Sequence, residues 1–224
     1  MSLRKTLSLL LVLVCWPAWA GSPAILVVGD SLSAGYGLAR GESWTALLQR
    51  DLDQRGLDFR VINASISGDT TSGGLARLPR ALKIHDPAVV IIELGGNDGL
   101  RAVPVAEIRR NLVQMIELSR TAGARVLVTS ILIPPNYGPE YTKKFEQVFA
   151  EAADTAGATL TPFILDGIAL QSDMMQADGI HPNAAAQPRI LANLWPSLCP
   201  TIVEDQEQRV AVCPAQAGPD IQVP

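Results

Sequence analysis

The chain of 224 residues has only two histidines. One of them, His181, lies three positions after Asp178 in the segment Asp178-Gly-Ile-His181-Pro-Asn183. On a Gly-containing turn that spacing lets the carboxylate hold Nδ1–H of the imidazole while Nε2 faces a substrate, the base-plus-orienter pair of acyl transfer. A nucleophile is offered by Ser31 in Gly29-Asp-Ser-Leu-Ser33, and two further polar segments offer donors for an oxyanion. One is Asn63 to Thr71, where Gly68 lets the backbone approach a ligand with its N–H free. The other is Glu93-Leu-Gly-Gly-Asn97-Asp98, which presents the Asn97 amide. Each segment alone also reads as ordinary structure: helix N-caps, Asx turns, or a local Asp–His ion pair. A metal site is a poorer reading, because no second His or Cys lies near His181. His85 follows a helical stretch, precedes Asp86-Pro87 and reads as a surface residue.

These residues need elements that bring them together. Apolar runs predict strands at 24–28, 59–63, 88–94, 126–130 and 159–163. They are short, continuous and rich in Val, Ile and Leu, as expected of parallel strands buried on both faces. Helical spacing predicts helices over 44–55, 74–85, 105–121, 141–156 and 184–198. Gly123 stops the third of these and Pro87 follows the second. Strands alternating with helices imply an α/β fold with a doubly wound parallel sheet. In such sheets ligands sit beyond the carboxyl ends of the strands. The first three polar segments each follow a predicted strand, and the fourth precedes the last helix. That convergence favours catalysis over independent caps and turns.

The remaining features bound the class of protein. Residues 1–20 read as a signal peptide: Arg4 and Lys5, an apolar run from Leu7 to Val14, and Ala18-Trp-Ala20 as the cleavage signal, with the cut after Ala20. The run is too short to span a bilayer. A lipidated Cys15 is disfavoured by Val14, where such sites take a small residue. The formal net charge is −4, and loss of Arg4 and Lys5 with the leader makes it −6, which speaks against nucleic-acid binding. Residues 21–198 are expected to form one domain, and 199–224 a Pro-, Gln- and Asp-rich tail with little helix or sheet. An oxidising compartment would let Cys199 and Cys213 pair, stapling that tail by about 3 kcal/mol in the chain-entropy model.

The four segments together resemble the SGNH, or GDSL, hydrolase family, and within it the bacterial periplasmic acyl-CoA thioesterase, lysophospholipase and protease type. The resemblance spans about residues 24–198 and leaves out the tail. It implies a three-layer α/β/α, flavodoxin-like fold with broad acyl ester and thioester substrates. It implies Ser31 as nucleophile and His181 as base oriented by Asp178. The oxyanion donors would be the N–H groups of Ser31 and Gly68 and the side chain of Asn97. It also implies that Asn136, Tyr137 and Gly138 border the acyl groove on a loop that can shift, although Pro134, Pro135 and Pro139 stiffen its ends. Such chemistry requires neither metal nor organic cofactor, and nothing in the sequence demands more than a monomer. Two other readings use the same fold: a carbohydrate deacetylase with a more polar groove, and a secreted binding module without catalysis.

Overall fold

The computed structural model describes residues 21–203, 212 and 213. The expected signal peptide and most of the expected tail lie outside the described residues. Five parallel strands form one sheet in the order β2-β1-β3-β4-β5. They are β1 (Ala24–Gly29), β2 (Arg60–Asn63), β3 (Pro87–Glu93), β4 (Arg125–Ser130) and β5 (Thr159–Phe163). The helices are α1 (Ser31–Ala34), α2 (Trp44–Gln54), α3 (Thr71–His85), α4 (Gly96–Leu100), α5 (Val105–Thr121), α6 (Pro139–Ala156) and α7 (Gln187–Ile202).

Alternation along each strand explains the three layers. Ile25 and Val27 of β1, with Val89 and Ile91 of β3, face Trp44, Leu48 and Leu52 of α2 and Ile190, Leu194 and Trp195 of α7. Leu26, Val28, Val90 and Ile92 point the other way, to Leu78 of α3, Leu112 of α5 and Phe149 of α6. A strand with helices on both faces has no solvent side, so apolar residues run on without the polar alternation of a half-exposed strand. The edge strands break this pattern: Arg60 and Asn63 are exposed on β2, as are Leu160 and Pro162 on β5. Pro162 is tolerated at an edge, where no neighbour needs its missing N–H.

Several boundaries differ from the sequence expectation. Helix α3 begins at Thr71 rather than 74, because the Thr70 hydroxyl caps it through Gly73 N–H at 3.2 Å. Asn97, expected in a loop, lies on the short helix α4, entered through Gly95 at φ +127°. The 133–139 loop contains a 3₁₀ turn at Pro135–Tyr137, and α6 starts at Pro139. The last helix is displaced most: 184–186 is a 3₁₀ turn, and α7 continues to Ile202 through Pro196 and Pro200. Trp195, Leu198, Cys199 and Ile202 are buried along that stretch, so core packing carries a helix whose prolines weaken its ladder. Cys199 and Cys213 are disulfide-bonded with Cα atoms 5.6 Å apart, and Arg55 of α2 donates to the Val212 carbonyl at 2.8 Å.

The strand order reverses direction between β1 and β3. Their carboxyl ends therefore open the crevice where ligands of doubly wound sheets bind. Ser31 follows β1 and Asn97 follows β3.

Candidate active site

Three side chains from two distant parts of the chain meet at this edge. His181 Nε2 lies 2.9 Å from Ser31 Oγ, and His181 Nδ1 lies 2.7 Å from Asp178 Oδ2. Ser31 is the first residue of α1, so its own N–H lies outside the helical ladder. Asp30 caps that helix through Leu32 N–H at 3.1 Å.

The turn that carries the histidine is built by the same carboxylate that holds its ring. Asp178 Oδ1 accepts the N–H groups of Ile180 at 2.9 Å and His181 at 3.0 Å, while Gly179 takes φ +66°. The His181 N–H, followed by its ring and the Ile180 N–H, holds the Asp178 carboxyl down at about 2. On the other side, the Gln176 N–H donates to the His181 carbonyl at 2.7 Å. The Gln176 side chain donates to the Tyr36 carbonyl at 2.8 Å, tying the histidine segment to the loop after α1. The Tyr36 ring sits against the imidazole with centroids 4.5 Å apart.

The expected donors gather at the same edge. Gly68 takes φ +80° on an exposed turn. Among the described residues no hydrogen bond occupies the N–H of Ser31 or of Gly68. Asn97 Nδ2 donates one hydrogen to Asp30 Oδ2 at 3.0 Å, which leaves its second for a ligand. Arg77 of α3 holds the Gly68 loop against β1. Its guanidinium donates to the Ala64 carbonyl, to the Gly29 carbonyl at 3.3 Å and to Asp69 Oδ2 at 2.7 Å. Asp98, fully buried, accepts Thr71 N–H at 2.9 Å and the Thr71 hydroxyl at 2.6 Å, joining α4 to the start of α3.

The loop at 136–138 is placed differently from the other candidates. Tyr137 and Gly138 line a cavity of about 560 Å³ with Pro139, Glu140, Tyr141 and Lys144. Neither Asn136 nor any of Ser31, Asp178 and His181 is in that lining. The Tyr137 hydroxyl donates to the Leu100 carbonyl at 2.9 Å, so the loop is tied to the end of α4.

Two carboxylates beneath Ser31 have no role assigned from the sequence. Asp30 and Glu93 are both buried. Glu93 Oε2 accepts the Ser33 hydroxyl at 2.7 Å and Asp30 N–H at 3.4 Å. Burial pushes the Asp30 carboxyl from 3.8 up to about 6, against the hydrogen bonds from Leu32 and Asn97. Burial, reinforced by the charge of Asp30, raises Glu93 well above the usual carboxylate range. A Cβ on Gly29 would lie 2.7 Å from Ser33 Oγ and 2.8 Å from Glu93 Oε2, so the first residue of the Gly-Asp-Ser segment is glycine for lack of space.

Among the described residues no cluster of three or more His, Cys, Asp or Glu side chains is arranged to hold a metal ion, and no helix is long and apolar enough to cross a membrane.

Comparison with known proteins gives a consistent result. The model of the GDSL-like lipase/acylhydrolase family matches residues 27–188. The chain is 51% identical to the esterase TesA of Pseudomonas aeruginosa over 192 residues, covering 86% of this chain and 96% of that one. It is 41% identical to thioesterase 1/protease 1/lysophospholipase L1 of Escherichia coli K12, covering 88% and 93%. A crystal structure of TesA superposes with a TM-score of 0.78 at 52% identity, covering 80% of this chain and 99% of the other.

Proposed function

Because the chain belongs to the GDSL-like lipase/acylhydrolase family, we propose that it is an exported, periplasmic serine hydrolase that cleaves carboxylic ester and thioester bonds of acyl substrates. The observation that carries this reading is the continuous chain of hydrogen bonds from Asp178 through His181 to Ser31. The printed activities of the relatives, esterase and thioesterase/lysophospholipase, support the substrate class.

In this reading His181 Nε2 removes the Ser31 proton as Oγ attacks the acyl carbonyl. Asp178 holds the ring in the tautomer that leaves Nε2 free to accept, and stabilises the imidazolium that forms. The oxyanion receives the N–H groups of Ser31 and Gly68 and the free Nδ2 hydrogen of Asn97. His181 then protonates the leaving alcohol or thiol, and water repeats the steps on the acyl-serine. Each step is served by protein side chains, backbone and water. The acyl chain would run past Asn136, Tyr137 and Gly138, and the enzyme would act as a monomer. Outside the cytosol, lysophospholipids and other esters are the more accessible substrates.

The test is hydrolysis of p-nitrophenyl esters from acetate to palmitate by the mature protein and by Ser31→Ala. Medium or long chains cleaved by the wild type alone support a lipolytic esterase. Turnover of acetate alone supports a deacetylase. An absence of Ser31-dependent turnover, with no labelling of Ser31 by an organophosphonate, would leave a binding module.

A further inference from the structure

Asp30 is 2% exposed, and among the described residues it makes no salt bridge, His181 acting on it only at longer range. A buried carboxylate without a directly paired cation is costly unless its oxygens are well bonded. One oxygen caps α1 through Leu32 N–H. Capping does not require the charge, since serine and asparagine cap helices as well as aspartate does. The second oxygen is committed to the Asn97 amide.

That amide has an ambiguity of its own. Its NH₂ and C=O ends are nearly equal in size and exchange by a half-turn of the side chain. Only the NH₂ end can donate to an oxyanion, and the carbonyl end would repel one. An ionised carboxylate only accepts, so it holds the NH₂ end and rejects the carbonyl. We propose that Asp30 is a positioning residue that locks Asn97 in its donor orientation, taking one Nδ2 hydrogen so that the other points at the reacting carbonyl oxygen. This rests on the serine hydrolase reading, in which Asn97 is an oxyanion donor.

The surroundings of Asp30 fit that role. Glu93 Oε2 accepts its N–H from below, and the Ser33 hydroxyl fixes Glu93 in turn. Gly96 lies against the carboxylate on the Asn97 side, where a Cβ would make an ordinary contact 3.4 Å from Asp30 Oδ2. The carboxylate is thus confined between the two strand ends that frame the site.

The experiment is a double-mutant cycle in the mature protein: wild type, Asp30→Asn, Asn97→Ala and the double variant, on a p-nitrophenyl ester, with thermal melts alongside. Asp30→Asn keeps the size but supplies an NH₂ that favours the flipped Asn97. It should lower kcat about 100-fold, the loss typical of one oxyanion donor, with KM within about twofold. In the double variant kcat should be no lower than in Asn97→Ala, because Asp30 then has nothing to position. The proposal is overturned if Asp30→Asn keeps kcat within about threefold of wild type, or if the losses multiply in the double variant. If Asp30→Asn melts early, Asp30→Ser replaces it: serine keeps the helix cap but is too short to reach Asn97, and the same comparison decides. Wild-type turnover that Ser31→Ala leaves intact would instead overturn the serine hydrolase reading, a result distinct from a failed cycle.

Discussion

His181 Nε2 stands 2.9 Å from Ser31 Oγ although 150 positions separate the two residues. The contact exists because Ser31 leaves β1 at the sheet edge and the Asp178–His181 turn is pinned to the loop after α1 through Gln176 and Tyr36. The two oxygens of Asp178 divide the work, one building the turn and the other holding the ring.

That division predicts the phenotype of Asp178→Asn. Asparagine can still accept the Ile180 and His181 N–H groups, so the turn persists and the melting temperature stays close to wild type. The ring loses its anionic partner, and kcat should fall on the order of 10³- to 10⁴-fold. Steady-state kinetics beside a thermal melt checks both halves. A variant with near-normal kcat would remove Asp178 from the mechanism.

The pH profile separates the carboxylates. Asp178, held at about 2, stays ionised throughout the acid range in which the enzyme can be assayed. Asp30, raised to about 6, takes up its proton just below neutrality and then ceases to be a pure acceptor for Asn97. The acid limb of kcat should therefore contain a component from Asp30 that Asn97→Ala lacks. Identical acid limbs in wild type and Asn97→Ala would contradict this.

Glu93 carries a stability prediction with a definite sign. Its pKa is raised well above 4.5 in the folded protein, so it stays protonated there while the unfolded chain releases the proton above about 4.5. The unfolded state then binds fewer protons, and Glu93 lowers stability progressively as pH rises from that point toward its folded pKa. Glu93→Gln removes the term. Its melting temperature relative to wild type should rise from pH 4 to pH 8. A difference that stays flat across that range would show that Glu93 is ionised in the folded protein.

Under the proposed function Arg77 should behave as a support of the Gly68 loop. Lysine in its place keeps the charge but lacks the planar fork that reaches Gly29, Ala64 and Asp69 together. Arg77→Lys should lower kcat between about tenfold and a hundredfold through misplacement of the Gly68 N–H, with a small change in KM. The same ester assay decides, and unchanged kcat would mean that the loop holds its position unaided.

The sheet and the gathering of the candidate residues at its edge were legible in the sequence for one reason. Strands buried on both faces are unbroken apolar runs, and the rule that ligands sit beyond their carboxyl ends placed Ser31, Gly68 and Asn97 at one edge. Other features resisted. Gly73 and Gly74 disguised the start of α3, yet both are there for close approach: a Cβ would collide with Asp69 at 1.9 Å and with Leu94 at 2.2 Å. Pro196 and Pro200 disguised the length of α7, which is held by the burial of Trp195, Leu198 and Ile202 rather than by propensity. Glu93 stands in the segment that offers Asn97, with no role of its own there. Its bonds to Asp30 and Ser33 span 63 and 60 positions, and no local pattern encodes them.

The disulfide between Cys199 and Cys213 joins two segments that lie on the α2–α7 layer. Cys199 is buried on α7, and Arg55, whose guanidinium lies 4.4 Å over the Trp195 ring, donates from α2 to the Val212 carbonyl beside Cys213. The bond closes a loop between positions 14 apart and so restrains the unfolded chain, by about 3 kcal/mol in the chain-entropy model. A reductant should therefore act on the melting temperature through the α2–α7 layer.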